Sequence, residues 1–246
     1  MQRFHCQCPS FQRYSRQSFF YLQVTGDNES RKKESPDADA VEHDLWTFEK
    51  KAIENGCERI AGIDEAGRGP LAGPVVSAAV VLSFSFPIWD LPDSKRLTSR
   101  QRLKILPVIY QHAFSIGIGI VDPVEIDRIN ILNASLLSMA ISVKNLHPQP
   151  DILLIDGLHR ISGFVSSDIL QQPIPKGDIL SVSIAAASII AKVTRDRLME
   201  RYHQDYPEFG FYRHKGYPTR AHREAIKTFG CCPIHRRSFK GVKEYL

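Results

Sequence analysis

From residue 58 onward the apolar positions fall into short runs with few polar interruptions. They are Arg59 to Asp64, Pro74 to Leu82 (PVVSAAVVL), Ala113 to Val121 (AFSIGIGIV) and Ile152 to Asp156 (ILLID). Their length and β-branched content predict four strands. Elsewhere the apolar residues recur on a helical period. Thr98 to Gln111 predicts a helix that Pro107 kinks or divides, because proline removes a main-chain donor and crowds the preceding turn. Asn133 to Leu146 predicts a second. Ser183 to Tyr206 predicts a long one, small and buried at Ala185-Ala186-Ala187 and polar by Arg195. Pro218 to Phe229 predicts a last helix, with proline in its first turn and Gly230 past its end.

Residues 1 to 47 show no sustained period, and the stretch TGDNESRKKESPDADAVEHD is polar and mixed in charge. Such composition predicts a flexible, disordered leader. A short helix is expected from near Leu45 to Ile53, stopping at Asn55-Gly56. Residues 48 to 246 are then expected to form the folded domain. Strands early and helices late predict an α/β fold, with a central mixed β-sheet flanked by helices and a helical C-terminal region.

Composition narrows the function classes. At 246 residues, with 43% apolar and 24% charged residues, the chain is large enough for one full core plus an appendage. No apolar run approaches the roughly 20 residues that cross a bilayer, and the N-terminus lacks a signal-peptide pattern, so a cytoplasmic location without membrane contact is expected. Five cysteines without C-x-x-C spacing indicate reduced thiols. The net charge is +5, but residues 192 to 246 hold 13 Lys or Arg against 6 Asp or Glu. That asymmetry suits a polyanionic partner, although a solvated helical face explains the charge alone equally well.

The chemistry gathers around GIDEAGRGPLAGP, residues 62 to 74. Successive strand residues face opposite ways, so Asp64 and Glu65 serve one site only where the strand ends between or just after them. A dinucleotide fingerprint is excluded, because the glycines at 67, 69 and 73 are one residue too widely spaced and a strand follows where a helix is required. A phosphate-binding P-loop fails for want of Gly-Lys-Ser or Gly-Lys-Thr. Gly67 and Gly69 let the backbone approach a ligand, while Arg68 offers charge and donors to phosphate or ribose. A lone Gly-Arg-Gly is more often a tight turn with a solvated arginine. A second apolar strand ending in acid, at Asp156-Gly157, shifts that balance, since carboxylates converging on one sheet edge repel unless a cation lies between them. Asp178, in PKGDILS, is a further candidate, with helix capping as the plainer alternative. Four oxygen ligands favour Mg²⁺ or Mn²⁺ over zinc. Hard ions of this kind, paired at about 3.5 to 4 Å, suit phosphoryl transfer. Ser94 and Lys95 precede a predicted helix where a phosphate would dock, and Lys192 lies on the long helix near the presumed site. His214 and His235, in a basic and polar stretch, are expected to be solvated.

Together GIDEAGRGPLAGPVVSAAVVL, DSKRL at 93 to 97, LLIDG at 153 to 157, KGD at 176 to 178, AAASIIAKVTRD at 185 to 196 and HKGYPT at 214 to 219 closely resemble bacterial ribonuclease HII. The likeness runs from about residue 58 to 241. It implies a ribonuclease H-like fold and a metal-dependent endonuclease. The implied substrates are the RNA strand of RNA/DNA hybrids and single ribonucleotides embedded in duplex DNA, cut to leave 5′-phosphate and 3′-hydroxyl ends. By motif, Asp64, Glu65, Asp156 and Asp178 match the family's metal-binding carboxylates. Gly67, Arg68 and Gly69 match the loop that reads the ribose 2′-hydroxyl, and Tyr217 matches the tyrosine that stacks on the next sugar. A monomer is expected. Two rivals remain: a non-catalytic hybrid-binding protein and a nuclease acting on DNA junctions. The leader before residue 58 is longer than the family usually carries, and the segment from Leu158 to Pro175 is somewhat long.

Overall fold

A computed structural model of the chain describes residues 44–87, 97–161, 163 and 165–246. The leader up to residue 43, Ser94 and Lys95 lie outside the described residues.

Five strands, β1 (Ile60–Ala66), β2 (Val75–Leu82), β3 (Ala113–Val121), β4 (Ile152–Asp156) and β5 (Leu170–Ile174), form one sheet in the order β3-β2-β1-β4-β5. The β1–β2 and β2–β3 pairs are antiparallel, whereas β1–β4 and β4–β5 are parallel. A parallel neighbour requires a long crossover, which the intervening helices supply. Pairing of Ile63 with Ile155 brings Asp64 and Asp156 to the same carboxyl edge of the sheet.

The helices are α1 (Thr47–Glu54), α2 (Ser99–His112), α3 (Pro123–Ile129), α4 (Ile131–Lys144), α5 (Val182–Asp205), α6 (Phe211–His214) and α7 (Arg220–Phe229). Helices α2 and α5 cover one face of the sheet, where Ile109, Ala186, Ile189 and Ile190 pack on Ala78 and Val80. Helix α4 covers the other, with Met139, Ala140 and Val143 against Ile63, Ala79, Leu153 and Ile155. The central strands are therefore buried on both sides, which accounts for their unbroken apolar runs. The first turn of α5 comes so close to β1 that a Cβ at Gly62 would lie 2.1 Å from the carbonyl carbon of Ser183. A separate apolar cluster, including Leu71, Met199, Phe209, Phe211, Ile226 and Ile234, ties the C-terminal region to the loop after β1.

Local chemistry moved several boundaries. Strand β1 continues two residues past Asp64, through Glu65 paired with Ser77 and Ala66 paired with Val76. Pro107 lies within α2 without dividing it. Helix α4 begins at Ile131 because Asn130, at φ +69°, caps it through its side-chain oxygen to the amides of Leu132 and Asn133, 3.0 and 3.1 Å away. Pro218 lies outside α7, since Thr219 is the N-cap and accepts from the His222 amide at 3.2 Å. Helix α3 and strand β5 carried little signal. The first is a short helix with Asp122 as cap and Pro123 in its first turn, and the second is a Gln- and Pro-bearing edge strand.

Ordered packing reaches upstream of α1. Trp46 is buried, and the Leu45 carbonyl accepts from the Val182 amide at 3.0 Å, at the start of α5.

Candidate active site

Side-chain alternation sends Asp64 toward α5 and Glu65 toward α4. The end of β1 lets both serve one edge. Asp64 is buried beside Ser188 on α5, which favours its charged form, and accepts from the Glu65 amide at 2.7 Å. Burial raises its pKa well above the usual carboxylate range, and the charges of Glu65 and Asp156 push the same way. Glu65 is raised chiefly by burial and further by Asp156; Arg68, whose Nη1 lies 3.3 Å from Oε1, opposes the shift. Three acids are thus forced together against their mutual repulsion. Asp178 is also buried, in a 3-10 turn spanning Gly177–Ile179. Gly177 packs so close to Asp156 that its Cβ would stand 3.4 Å from Oδ1. Ser181 rather than Asp178 is the N-cap of α5.

The loop after β1 is held from beneath by two fully buried arginines that the sequence did not mark out. Arg195 on α5 donates Nε to the Pro74 carbonyl and Nη2 to that of Ala72, each at 3.0 Å, and Nη1 to that of Lys215 at 2.9 Å. Arg236 donates Nε to the Gly73 carbonyl and Nη1 to that of Arg68, each at 3.0 Å, and Nη2 to that of Gly67. Burial lowers their pKa values to about 10 and about 9, respectively, and both guanidinium groups stay charged at neutral pH. Inspecting sequence alone, an arginine on a helix that turns polar reads as solvated.

The two glycines flanking Arg68 differ. Gly67 sits at φ +103°, and a Cβ there would lie 2.2 Å from Arg195 Nε, whereas a Cβ at Gly69 would meet the Tyr217 ring at 3.8 Å, an ordinary contact. Gly67→Ala is therefore expected to cost about 1–3 kcal/mol for backbone strain alone, and Gly69→Ala to stay within about 0.5 kcal/mol of wild type. Urea unfolding of the two variants checks the contrast.

Glu65, Gly67, Arg68, Gly69, Lys192 and Tyr217 line one cleft of about 360 Å³, together with Arg102 and Ser188, which the sequence had not singled out. Tyr217 is exposed, and its ring centroid lies 5.9 Å from both Lys192 Nζ and Arg195 Cζ. Lys192 forms an ion pair with Asp196, and burial lowers its pKa. His235 is buried and His214 half-buried, so neither is the solvated residue expected. Together with His222 they form a ring cluster beneath Tyr217.

The donor set suits a hard cation. All four acids offer oxygen, and the buried Oε2 of Glu65 has no hydrogen-bond partner among the described residues. No group of three or more acid, histidine or cysteine side chains among the described residues forms a ready-made cation cage.

Comparison with known proteins gives a consistent result. A family model described as ribonuclease HII matches residues 61–242. The chain is 56% identical over 193 residues to a ribonuclease HII of Syntrophus aciditrophicus (strain SB), covering 78% of this chain and 89% of the relative. It is 52% identical over 202 residues to that of Geobacter sulfurreducens, covering 82% and 91%. Among solved structures, the ribonuclease H2 from Pyrococcus horikoshii OT3 superposes with a TM-score of 0.64 at 30% identity, over 76% of this chain and 97% of that one.

Proposed function

The chain belongs to the ribonuclease HII family, and from that premise we propose that it is an endonuclease cutting both RNA/DNA hybrids and duplex DNA at embedded single ribonucleotides. Membership makes it a metal-dependent ribonuclease with a ribonuclease H-like fold, acting on RNA/DNA. The observation carrying the finer reading is the single cleft that joins Glu65 to the Gly67-Arg68-Gly69 loop and Tyr217. The 2′-hydroxyl is what separates RNA from DNA at one nucleotide, so a discriminating loop belongs beside the acids that serve the cleavage.

In this reading Asp64, Glu65, Asp156 and Asp178 hold Mg²⁺ or Mn²⁺. Two such ions, when bound, supply an activated water and a stabilised leaving oxygen for an in-line displacement that leaves 5′-phosphate and 3′-hydroxyl ends. Ser188 orients Asp64, and the Arg68 side chain restrains Glu65. Arg68 and the two glycine backbones meet the ribose, while the Tyr217 ring defines the adjacent deoxyribose by apolar contact. Lys192 and Arg102, which line the same cleft, supply the charge that meets the phosphates. The chain acts alone, as a monomer, and no helix among the described residues is long and apolar enough to cross a membrane.

A DNA duplex carrying one ribonucleotide tests the proposal. The protein is expected to cut it once with Mg²⁺ or Mn²⁺ and to stop in excess chelator. Equal cutting of an all-DNA duplex would revive the junction-nuclease reading, and binding without any cutting would favour the hybrid-binding one. Because Gly69→Ala intrudes on the space beneath Tyr217 without straining the backbone, it is expected to lower kcat/KM on that duplex by roughly tenfold.

We further assign residues 1 to 43 no part in cleavage. Removing them is expected to leave kcat/KM within about twofold of full length, as measured on the same duplex. The cut is placed before Asp44, whose carboxylate accepts from the Trp46 amide at 3.0 Å.

A further inference from the structure

Of the polar groups buried in this protein, Arg195 and Arg236 stand out because every donor contact described for their guanidinium groups ends on a main-chain carbonyl. Guanidinium groups buried in this way are costly unless the fork geometry is needed. Here the carbonyls are interleaved along one loop: Arg236 takes those of Gly67, Arg68 and Gly73, and Arg195 takes those of Ala72 and Pro74. The third donor of Arg195 reaches Lys215, two residues before Tyr217, and the Leu71 amide donates to the Gly216 carbonyl at 2.8 Å. Arg195 consequently fastens both sides of the narrow space between Gly69 and the Tyr217 ring, and Arg236 adds a second hold on the loop side.

We propose that Arg195 and Arg236 are positioning residues that set the separation of the Gly67–Gly69 backbone from the Tyr217 ring and so determine selectivity for a ribonucleotide followed by a deoxyribonucleotide. The proposal rests on the reading of that loop and ring given above. Neither arginine touches the substrate; each acts through the carbonyls it holds. Lysine keeps the charge but concentrates its donors at one point, so it cannot span carbonyls on separate residues. A field effect alone would survive the exchange to lysine, and a geometric one would not.

The experiment compares wild type, R195K, R236K and Phe239→Leu on two substrates, a DNA duplex with one ribonucleotide and a uniform RNA/DNA hybrid, with kcat and KM measured separately. Phe239 is a half-buried ring 5.0 Å from Arg236 Cζ, and replacing it loosens the fork while leaving its donors in place. Circular dichroism and melting identify the folded variants. The expected result is a drop of about tenfold or more in the ratio of kcat/KM between the two substrates for each folded lysine variant. A smaller drop in the same direction is expected for Phe239→Leu, with kcat changing more than KM. Should R195K and R236K fail to fold, Phe239→Leu decides the matter. An unchanged ratio in every folded variant overturns the role of the two arginines while leaving the function intact. Failure of the wild-type protein to cut either substrate overturns the reading beneath it.

Discussion

Asp156→Asn is expected to yield a folded protein that still binds a ribonucleotide-containing duplex but cuts it roughly 10³-fold more slowly, about 4 kcal/mol of lost transition-state stabilisation. The parallel pairing of β1 with β4 places Asp156 next to Asp64, and its charge raises the proton affinity of both Asp64 and Glu65. The amide keeps the shape and removes that charge. Repulsion in the free protein then falls, so the melting temperature should hold or rise even as cleavage is lost. A destabilised variant would merely inactivate, whereas a stable and inactive one separates charge from folding. The measurements are single-turnover cleavage in Mg²⁺, fluorescence anisotropy of the same duplex, and thermal unfolding. Cutting at the wild-type rate by a folded Asp156→Asn protein would remove the carboxylate edge from catalysis.

The second large effect is a loss of stability in mild acid. His222 and His235 are buried, and burial pushes both pKa values down to about 4. The hydrogen bonds fix which ring nitrogens carry the protons, although the backbone bonds to Tyr217 and Cys232 oppose the downward shift that burial imposes. The Cys232 amide can only donate, at 3.0 Å, to Nδ1 of His235, which leaves that ring's proton on Nε2 and directed at Nε2 of His222, 3.1 Å away. His222 then donates from Nδ1 to the Tyr217 carbonyl at 3.0 Å. An added proton would set two donors against each other. In the unfolded chain both histidines titrate near 6.5, so below that pH the unfolded state binds protons the folded state refuses. Their contribution to stability is complete above pH 6.5 and is lost as the pH falls toward 4. Each histidine gives up to about 1.4 kcal/mol per pH unit, or roughly 4 kcal/mol for the two between pH 7 and 5. Asp64, Glu65 and Glu49 shift the other way, with raised folded values that add stability on acidification. The test is therefore a difference: urea unfolding at pH 7 and pH 5 for wild type and His222→Gln. The variant is expected to show a shallower acid loss by roughly half the two-histidine effect. Equal slopes would mean that the rings are already protonated when folded.

The parts of this protein legible in its sequence are those governed by local periodicity or by compact motifs. Strands β1, β2 and β4 are readable because burial on both faces demands runs of small and β-branched residues, and the edge strand β3 because its β-branched residues recur over nine positions. Asp64, Glu65 and Asp156 were readable because each lies at or near the end of such a run. Less could be seen wherever a distant segment decides the outcome. Arg195 reads as the polar start of a helix end, and only the carbonyls of residues 72, 74 and 215 show why it is buried. His235 reads as solvated until His222 and Cys232 close around it. Strand β5 has glutamines where a core strand would have valines, since it pairs on one side only and one of those glutamines, Gln171, accepts from the Ile161 amide at 2.7 Å.

The fork of Arg236 reaches Gly67 across 169 positions of chain, and the bridge between Ala72 and His235 spans nearly as many. During synthesis the acids and the glycine loop therefore leave the ribosome long before the segment that clamps them. If Arg195 and Arg236 set the loop as proposed, substrate discrimination is completed only when residues 234 to 236 emerge. Cleavage by a stalled or prematurely terminated product should for that reason be less choosy than cleavage by the finished enzyme.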